Sequence, residues 1–226
     1  MIPLYFYILI GSLFVPMLFS VFFIDFIKNW KNFMISTSLV ALVFLVWDAV
    51  FTAKGVWGFE ASYCLGIYIL EMPLEEWLFF YIIPFCSLFT HFAFYYKFPE
   101  KKINKKTTVV ITILLLLVSM VLLLSNSSRA YTFVNYSGVV LSLILGLLFN
   151  LELLQRFYIS FLIVLVPFFI VNGVLTGIAT ELPVVWYDDT ENLGIRLGTI
   201  PIEDIGYAFS MLFSNLFIYE RLNKKE

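Results

Sequence analysis

An all-α polytopic membrane protein is the fold class this sequence predicts. Three observations predict it: 62% of the 226 residues are hydrophobic, only 13% are charged, and the apolar residues fall in long charge-poor runs. Ordinary soluble domains carry about 45–50% apolar and about 25% charged residues, so a soluble fold has nowhere to place the surplus. Hydrocarbon offers no partner to open backbone groups, so a run of about 18 to 20 such residues is read as a spanning helix.

The first run, about Ile2 to Ile24, lacks a basic leading region and a small-residue cleavage site. It is also too long for a signal-peptide core and is read as a mature helix. Runs at about Phe33 to Ala53, Met72 to Tyr95 and Thr107 to Leu124 follow. Those at about Phe133 to Leu154, Phe157 to Ala179 and Pro201 to Tyr219 bring the total to about seven. Residues 1–226 are therefore read as a single membrane domain with no appended soluble domain.

The net charge of −2 is uninformative, but its distribution is not. Counted by alternate loops, Lys28, Lys31, Lys97, Lys101, Lys102, Lys105, Lys106, Arg156, Arg221, Lys224 and Lys225 fall on one side, against Lys54, Arg129 and Arg196 on the other. Lys and Arg collect in cytoplasmic loops, so the C-terminus is expected in the cytoplasm and the long loops after the second and sixth helices outside. Cys64 and Cys86 have no C-x-x-C spacing and are read as packing residues, as is His91 on its aromatic helix.

An internal repeat organises the chain. Trp47-Asp48, Gly55 and Pro73-Leu74-Glu75-Glu76-Trp77 recur in the same order as Trp186-Tyr187-Asp188, Gly194 and Pro201-Ile202-Glu203-Asp204-Ile205. The reading is two parallel three-helix repeats, residues 1–96 and 131–221, joined by a connector helix at 107–124. Such halves commonly face each other across a pseudo-two-fold axis, which would bring both Pro-x-Glu-acid segments to one cavity.

Proline favours the first helical position, so Pro73 and Pro201 are expected to start the third and seventh helices. Adjacent helical residues point about 100° apart, so one acid of each pair should face the cavity; Glu75 and Glu203 are favoured over Glu76 and Asp204. Acids in a first helical turn are also ordinary dipole-compensating residues, and a single copy would carry little weight. Two matched copies at a membrane edge point to a site. Asp48 interrupts an apolar helix, where a charge is expensive, and Asp188 is its counterpart in the repeat alignment. The loop acids Asp189 and Glu191 read as solvated structural residues. Trp47, Trp57, Trp77, Trp186 and Tyr187 lie beside the acids in the sequence, and their ring faces could stabilise a cation. Phe79, Phe80 and Tyr81 are read as ordinary membrane-facing aromatics.

Nucleotide, flavin and zinc motifs are missing from the sequence, and no metal site is read from it. Acid chemistry in an apolar setting remains.

These segments resemble the membrane-embedded lycopene cyclases of carotenoid biosynthesis. The resemblance is carried by Gly55-Val56-Trp57-Gly58-Phe59, by Pro73 to Phe80, and by Pro183 through Asn192-Leu193-Gly194-Ile195-Arg196 to Tyr207. Because it spans both halves, the chain looks like the fused single-chain form of the two-subunit bacterial type. The family is similar in helical architecture to membrane prenyltransferases. The resemblance implies a redox-neutral closure of β-ionone rings on lycopene or other linear carotenoids, in the lipid bilayer, with no cofactor and no nucleic acid. Catalysis would rest on Glu75, Glu203, Glu76, Asp204, Asp48 and Asp188, with a homo-oligomer left open.

Two other readings compete. In a membrane prenyltransferase, Asp188-Asp189-Thr190-Glu191-Asn192 would bind magnesium and diphosphate, although only Lys54 and Arg196 lie near it to meet the phosphates. In a proton-coupled transporter the acids would form a relay, but they cluster near one leaflet, and no helix is expected to carry a midplane interruption.

Overall fold

The computed structural model of the chain describes residues 3–22, 26 and 30–223. Among the helices described are α1 (Leu4–Phe22), α2 (Trp30–Ala53), α3 (Leu74–Lys97), α4 (Lys105–Ser125), α5 (Ala130–Phe149), α6 (Leu151–Leu175) and α7 (Glu203–Asn223). Ile2 and Ile24, the expected ends of the first span, and Lys28, Lys224 and Lys225 lie outside the described residues.

The first six helices are long and apolar enough to cross a membrane. The seventh is as long, at 21 residues, but carries Glu203, Asp204 and Asn215 among its buried side chains. Its position explains this composition: α7 is the central helix, packed against α2, α5, α3 and α6, so it presents little surface to lipid. The opposite case is α4, which exposes Val110, Leu114, Leu117, Val118, Val121 and Leu124 and buries only Thr108, Thr112 and Ser119. A stripe this apolar requires a hydrocarbon solvent. Helices α1, α3 and α6 run unbroken through Pro16, Pro84 and Pro167.

Two boundaries differ from expectation for local reasons. The break between α5 and α6 falls at Asn150, not near Gln155 and Arg156. Asn150 ends one helix and caps the next, its side chain accepting from the Leu153 N–H at 3.2 Å. Pro73 and Pro201 stand just outside their helices. They are strand residues in the hairpins β2 (Tyr68–Ile69) with β3 (Met72–Pro73) and β5 (Arg196–Leu197) with β6 (Ile200–Pro201).

The halves have matching local structure. Each has two helices, a polar segment containing a strand and a hairpin, and a third helix opening on two acids. Strands β1 (Trp57–Phe59) and β4 (Val185–Tyr187) pair antiparallel between the halves, with Trp57 opposite Tyr187, Gly58 opposite Trp186 and Phe59 opposite Val185. The bonds beyond this ladder also match: Glu60 N–H to the Val184 carbonyl at 2.9 Å, and Asp188 N–H to the Val56 carbonyl at 2.8 Å. Helix α1 lies along α3, and α5 along α7. The middle helix of each half crosses over, α2 onto α7 and α6 onto α3.

Between α2 and α7, Asn215 accepts from Ser36 at 2.9 Å and donates to Thr37 at 3.0 Å, all three side chains being fully buried. Interhelical polar contacts in membranes are worth about 0.6–2 kcal/mol. Asn215→Ala is therefore expected to destabilise the fold by about 1 kcal/mol, read as a lower denaturation midpoint in mixed micelles. A midpoint equal to wild type would show that the contact contributes nothing.

Candidate active site

The N-terminal ends of α1, α3, α5 and α7 and the C-terminal ends of α2 and α6 meet at one face, beneath the β1–β4 ladder. There they enclose a cavity of about 570 Å³, within the range of about 300–1,000 Å³ usual for ligand sites. Its polar end is formed by Asp48, Glu76 and Asp204 with Tyr5, Tyr131, Tyr187 and Asn172. The rest is walled mainly by apolar residues of α1, α3, α6 and α7, with Ser12, Ser87 and Thr90 among them.

The cavity acids are the second of each pair, which corrects the preference for Glu75 and Glu203. Helix α3 begins one residue after Pro73, and the hairpin fixes the direction of its first turn. Glu75 points away from the cavity and accepts from the Leu65 N–H at 2.6 Å. Glu203 does the same from Leu193 at 2.7 Å and also accepts from the Thr132 hydroxyl at 2.7 Å. Both are fully buried and organise the loops beside the site.

Asp48 is 2% exposed although it lies near the end of a spanning helix. Its Oδ1 accepts from Trp57 Nε1 at 2.5 Å and from the Thr52 hydroxyl at 3.4 Å, while Oδ2 has no N–H or O–H partner. Its carboxyl group neighbours that of Glu76 on the cavity wall. Glu76 Oε2 also accepts from the Tyr5 hydroxyl at 2.5 Å. Asp204 accepts from the hydroxyls of Tyr131 at 2.5 Å and Tyr187 at 3.0 Å, and from Asn172 Nδ2 at 3.3 Å. Tyr187 lies on β4, where burial and then the Asp204 charge push its phenol well above the ordinary range, so it remains a donor.

Asp188 is not part of this constellation. It holds a turn by accepting from the Thr190 N–H at 2.9 Å and hydroxyl at 2.7 Å, and these bonds hold its carboxyl below the usual range. Its counterpart in the first half is Glu60, which accepts from the N–H two residues on, at Ser62. The place of Asp48 is taken on α6 by Asn172. The sequence alignment paired Asp48 with Asp188 because both follow a Trp within two residues, whereas the fold pairs strand with strand and helix with helix.

The neighbouring loop acids hold backbone. Asp189 pairs with Arg196 at 2.5 Å, and Glu191 accepts from the Ala130 N–H at 2.8 Å at the start of α5. Among the described residues no group of three or more His, Cys, Asp or Glu side chains is placed to hold a metal ion.

The aromatic residues divide. Trp57 and Tyr187 line the cavity, joined by Tyr131 and Tyr207. The Trp57 ring lies 5.1 Å from Tyr131 and 6.2 Å from Tyr187, centroid to centroid. Trp47 packs behind this wall, 4.9 Å from Tyr207, and does not line the cavity. Trp77 donates to the Ile69 carbonyl at 3.2 Å and clamps the hairpin. Trp186 is 42% exposed and lies across Gly58. Three of the five aromatic expectations therefore fall outside the cavity.

Tyr5, Tyr131, Tyr207 and Asn172 were not found from the sequence. Asn172 carried a usable signal, a polar side chain between Val171 and Gly173 near the end of an apolar helix, as with Asp48. Tyr5 and Tyr131 sit at the same place in α1 and α5, which a repeat alignment extended to those helix starts exposes.

A family model described as lycopene cyclase matches residues 3–94 and 128–222. Among curated proteins and solved structures, none matches the chain.

Proposed function

We propose that this chain, which belongs to the lycopene cyclase family, closes β-ionone rings on both ends of linear lycopene by proton-initiated isomerisation without a cofactor. The observation that carries the reading is the three carboxyl groups of Asp48, Glu76 and Asp204 at the polar end of a cavity lined mainly by apolar residues. A proton must be delivered to an alkene and another removed from the ring, and carboxyl groups positioned within an apolar site are suited to both transfers. The faces of Trp57, Tyr131, Tyr187 and Tyr207 would stabilise the intervening cation, an effect worth about 2 kcal/mol when desolvated.

The substrate would enter from the bilayer. Val15 on α1 and Ile170 on α6 both line the cavity and are 56% and 66% exposed, which supports a lateral mouth between these helices. We read the halves, 1–96 and 131–221 around the connector, as products of duplication. The site then faces the outer leaflet, with the C-terminus in the cytoplasm.

Expression in lycopene-accumulating cells should convert red lycopene to a bicyclic product of unchanged mass. Unaltered lycopene in cells whose membranes contain the protein would refute the reading. Chelators are expected to leave the rate unchanged, because Asp188, Asp189 and Glu191 are engaged in holding a turn, Arg196 and the start of α5. Loss of activity on chelation, restored by magnesium, would instead support the prenyltransferase.

A further inference from the structure

The three cavity acids differ in the kind of hydrogen bonds they make. Asp204 receives three donors, the hydroxyls of Tyr131 and Tyr187 and the amide of Asn172. An amide NH₂ group can only donate, whereas the two phenol hydroxyls can donate or accept, so it is the amide that favours the ionised form of Asp204. Glu76 receives one hydroxyl, from Tyr5, and has the carboxyl group of Asp48 as its neighbour on the cavity wall. Two ionised carboxylates repel and cannot bond to each other, so neighbouring carboxyl groups are suited to sharing one proton.

The two arrangements occupy matching places. Tyr5 and Tyr131 stand at the starts of α1 and α5, and Glu76 and Asp204 are the second of their acid pairs. Asp48 near the end of α2 is matched by Asn172 near the end of α6. An acid in one half and an amide in the other give one site a pair of carboxyl groups and the other a single carboxyl group with a fixed donor.

Resting on the cyclase reading above, we infer that the Asp48–Glu76 pair delivers the proton and that Asp204 removes one, with Asn172 as the positioning residue that keeps Asp204 a base. In this scheme the proton adds to the terminal alkene, whose π electrons form the new C–H bond and leave a tertiary cation. The π electrons of the next alkene in reach then form the ring C–C bond, and the positive charge moves to a ring carbon. Asp204 takes a proton from the carbon beside it, and the C–H electrons become the ring double bond. One proton enters, one leaves and no electrons are gained or lost. The position of the base also selects which C–H bond breaks, so Asp204 determines the ring type.

The test uses full-length protein in lipid vesicles, supplied with lycopene in heavy water, with label read in both product and recovered substrate. Wild type should place one deuterium in each ring formed. In Asp204→Asn the cation still forms but reverts by losing a proton, so ring formation falls while recovered lycopene gains deuterium. Asn172→Asp, nearly unchanged in size, gives Asp204 an acidic partner and should show the same label in recovered lycopene with slower ring formation. Glu76→Gln should give neither product nor label. Insertion and monodispersity are measured for each variant, and Asn172→Asp carries the test if Asp204→Asn does not fold. Label in lycopene recovered from Glu76→Gln, or none from Asp204→Asn and Asn172→Asp beside an active wild type, overturns the allocation. An inactive wild type overturns the cyclase reading itself, and the allocation with it.

Discussion

Replacing Glu76 by Gln or Asp204 by Asn should each abolish ring closure, lowering the rate per folded molecule by on the order of 10²–10⁴, the usual contribution of a positioned acid or base. The substitutions keep size and hydrogen-bonding capacity but cannot exchange a proton in the same way. The informative comparison is with Glu75→Gln and Glu203→Gln. These side chains hold the Leu65 and Leu193 N–H groups through one carboxyl oxygen each, and a Gln carbonyl can accept the same bond. Both variants are therefore expected to retain most of their turnover. Glu75→Ala and Glu203→Ala, in contrast, leave a loop N–H without its acceptor, at about 1–3 kcal/mol for a buried group, and should lower the amount of folded protein. Pigment formed per unit of folded protein separates the two effects. Full turnover in Glu76→Gln and Asp204→Asn, with loss in Glu75→Gln and Glu203→Gln, would move the chemistry back by one residue in each half.

The second large effect concerns access. Gly11 lines the cavity near its mouth, and a Cβ added there meets nothing within 4 Å. A large side chain can therefore fill the opening without straining the helix that carries it. Gly11→Trp is expected to slow cyclisation about tenfold, equivalent to about 1.4 kcal/mol in barrier, with insertion and denaturation midpoint close to wild type. Gly11→Ala, too small to block the passage, should be neutral. A Gly11→Trp protein that cyclises at the wild-type rate would place the route of entry elsewhere, because the opening between α1 and α6 would then be dispensable.

The membrane class and the pair of acid-bearing segments were legible in the sequence because each rests on one-dimensional chemistry: charge-poor runs and a repeated order of Trp, Gly, Pro and acid. The acids' directions were not. A shift of one residue at a helix start turns a side chain by about 100°, and here the hairpin register, not the proline, sets that start. Asp48 stood out because a carboxyl group in an apolar run is costly. Asn172 was overlooked because an amide in the same setting costs less, although it contacts Asp204. Asp188 was drawn in by its proximity in sequence to Trp186 and Tyr187, while its own bonds serve a turn. The wall tyrosines Tyr5 and Tyr131 lie 71 and 73 residues from the acids they serve, and nothing local in the sequence joins them.

At the centre of the β1–β4 ladder, Gly58 faces Trp186, and these positions are 128 apart in the chain (186 − 58), as are Glu76 and Asp204 (204 − 76). If the halves are duplicates, as proposed above, these are the same position in each. The Trp186 ring occupies the space a side chain at 58 would need. Two copies of the second half would set indole against indole in that space, and two copies of the first would leave it empty. On that proposal the halves fit as a lock and its key and are not interchangeable. The glycine at 58 and the indole at 186 favour pairing each half with its opposite, whether the two are carried on one chain or on separate chains.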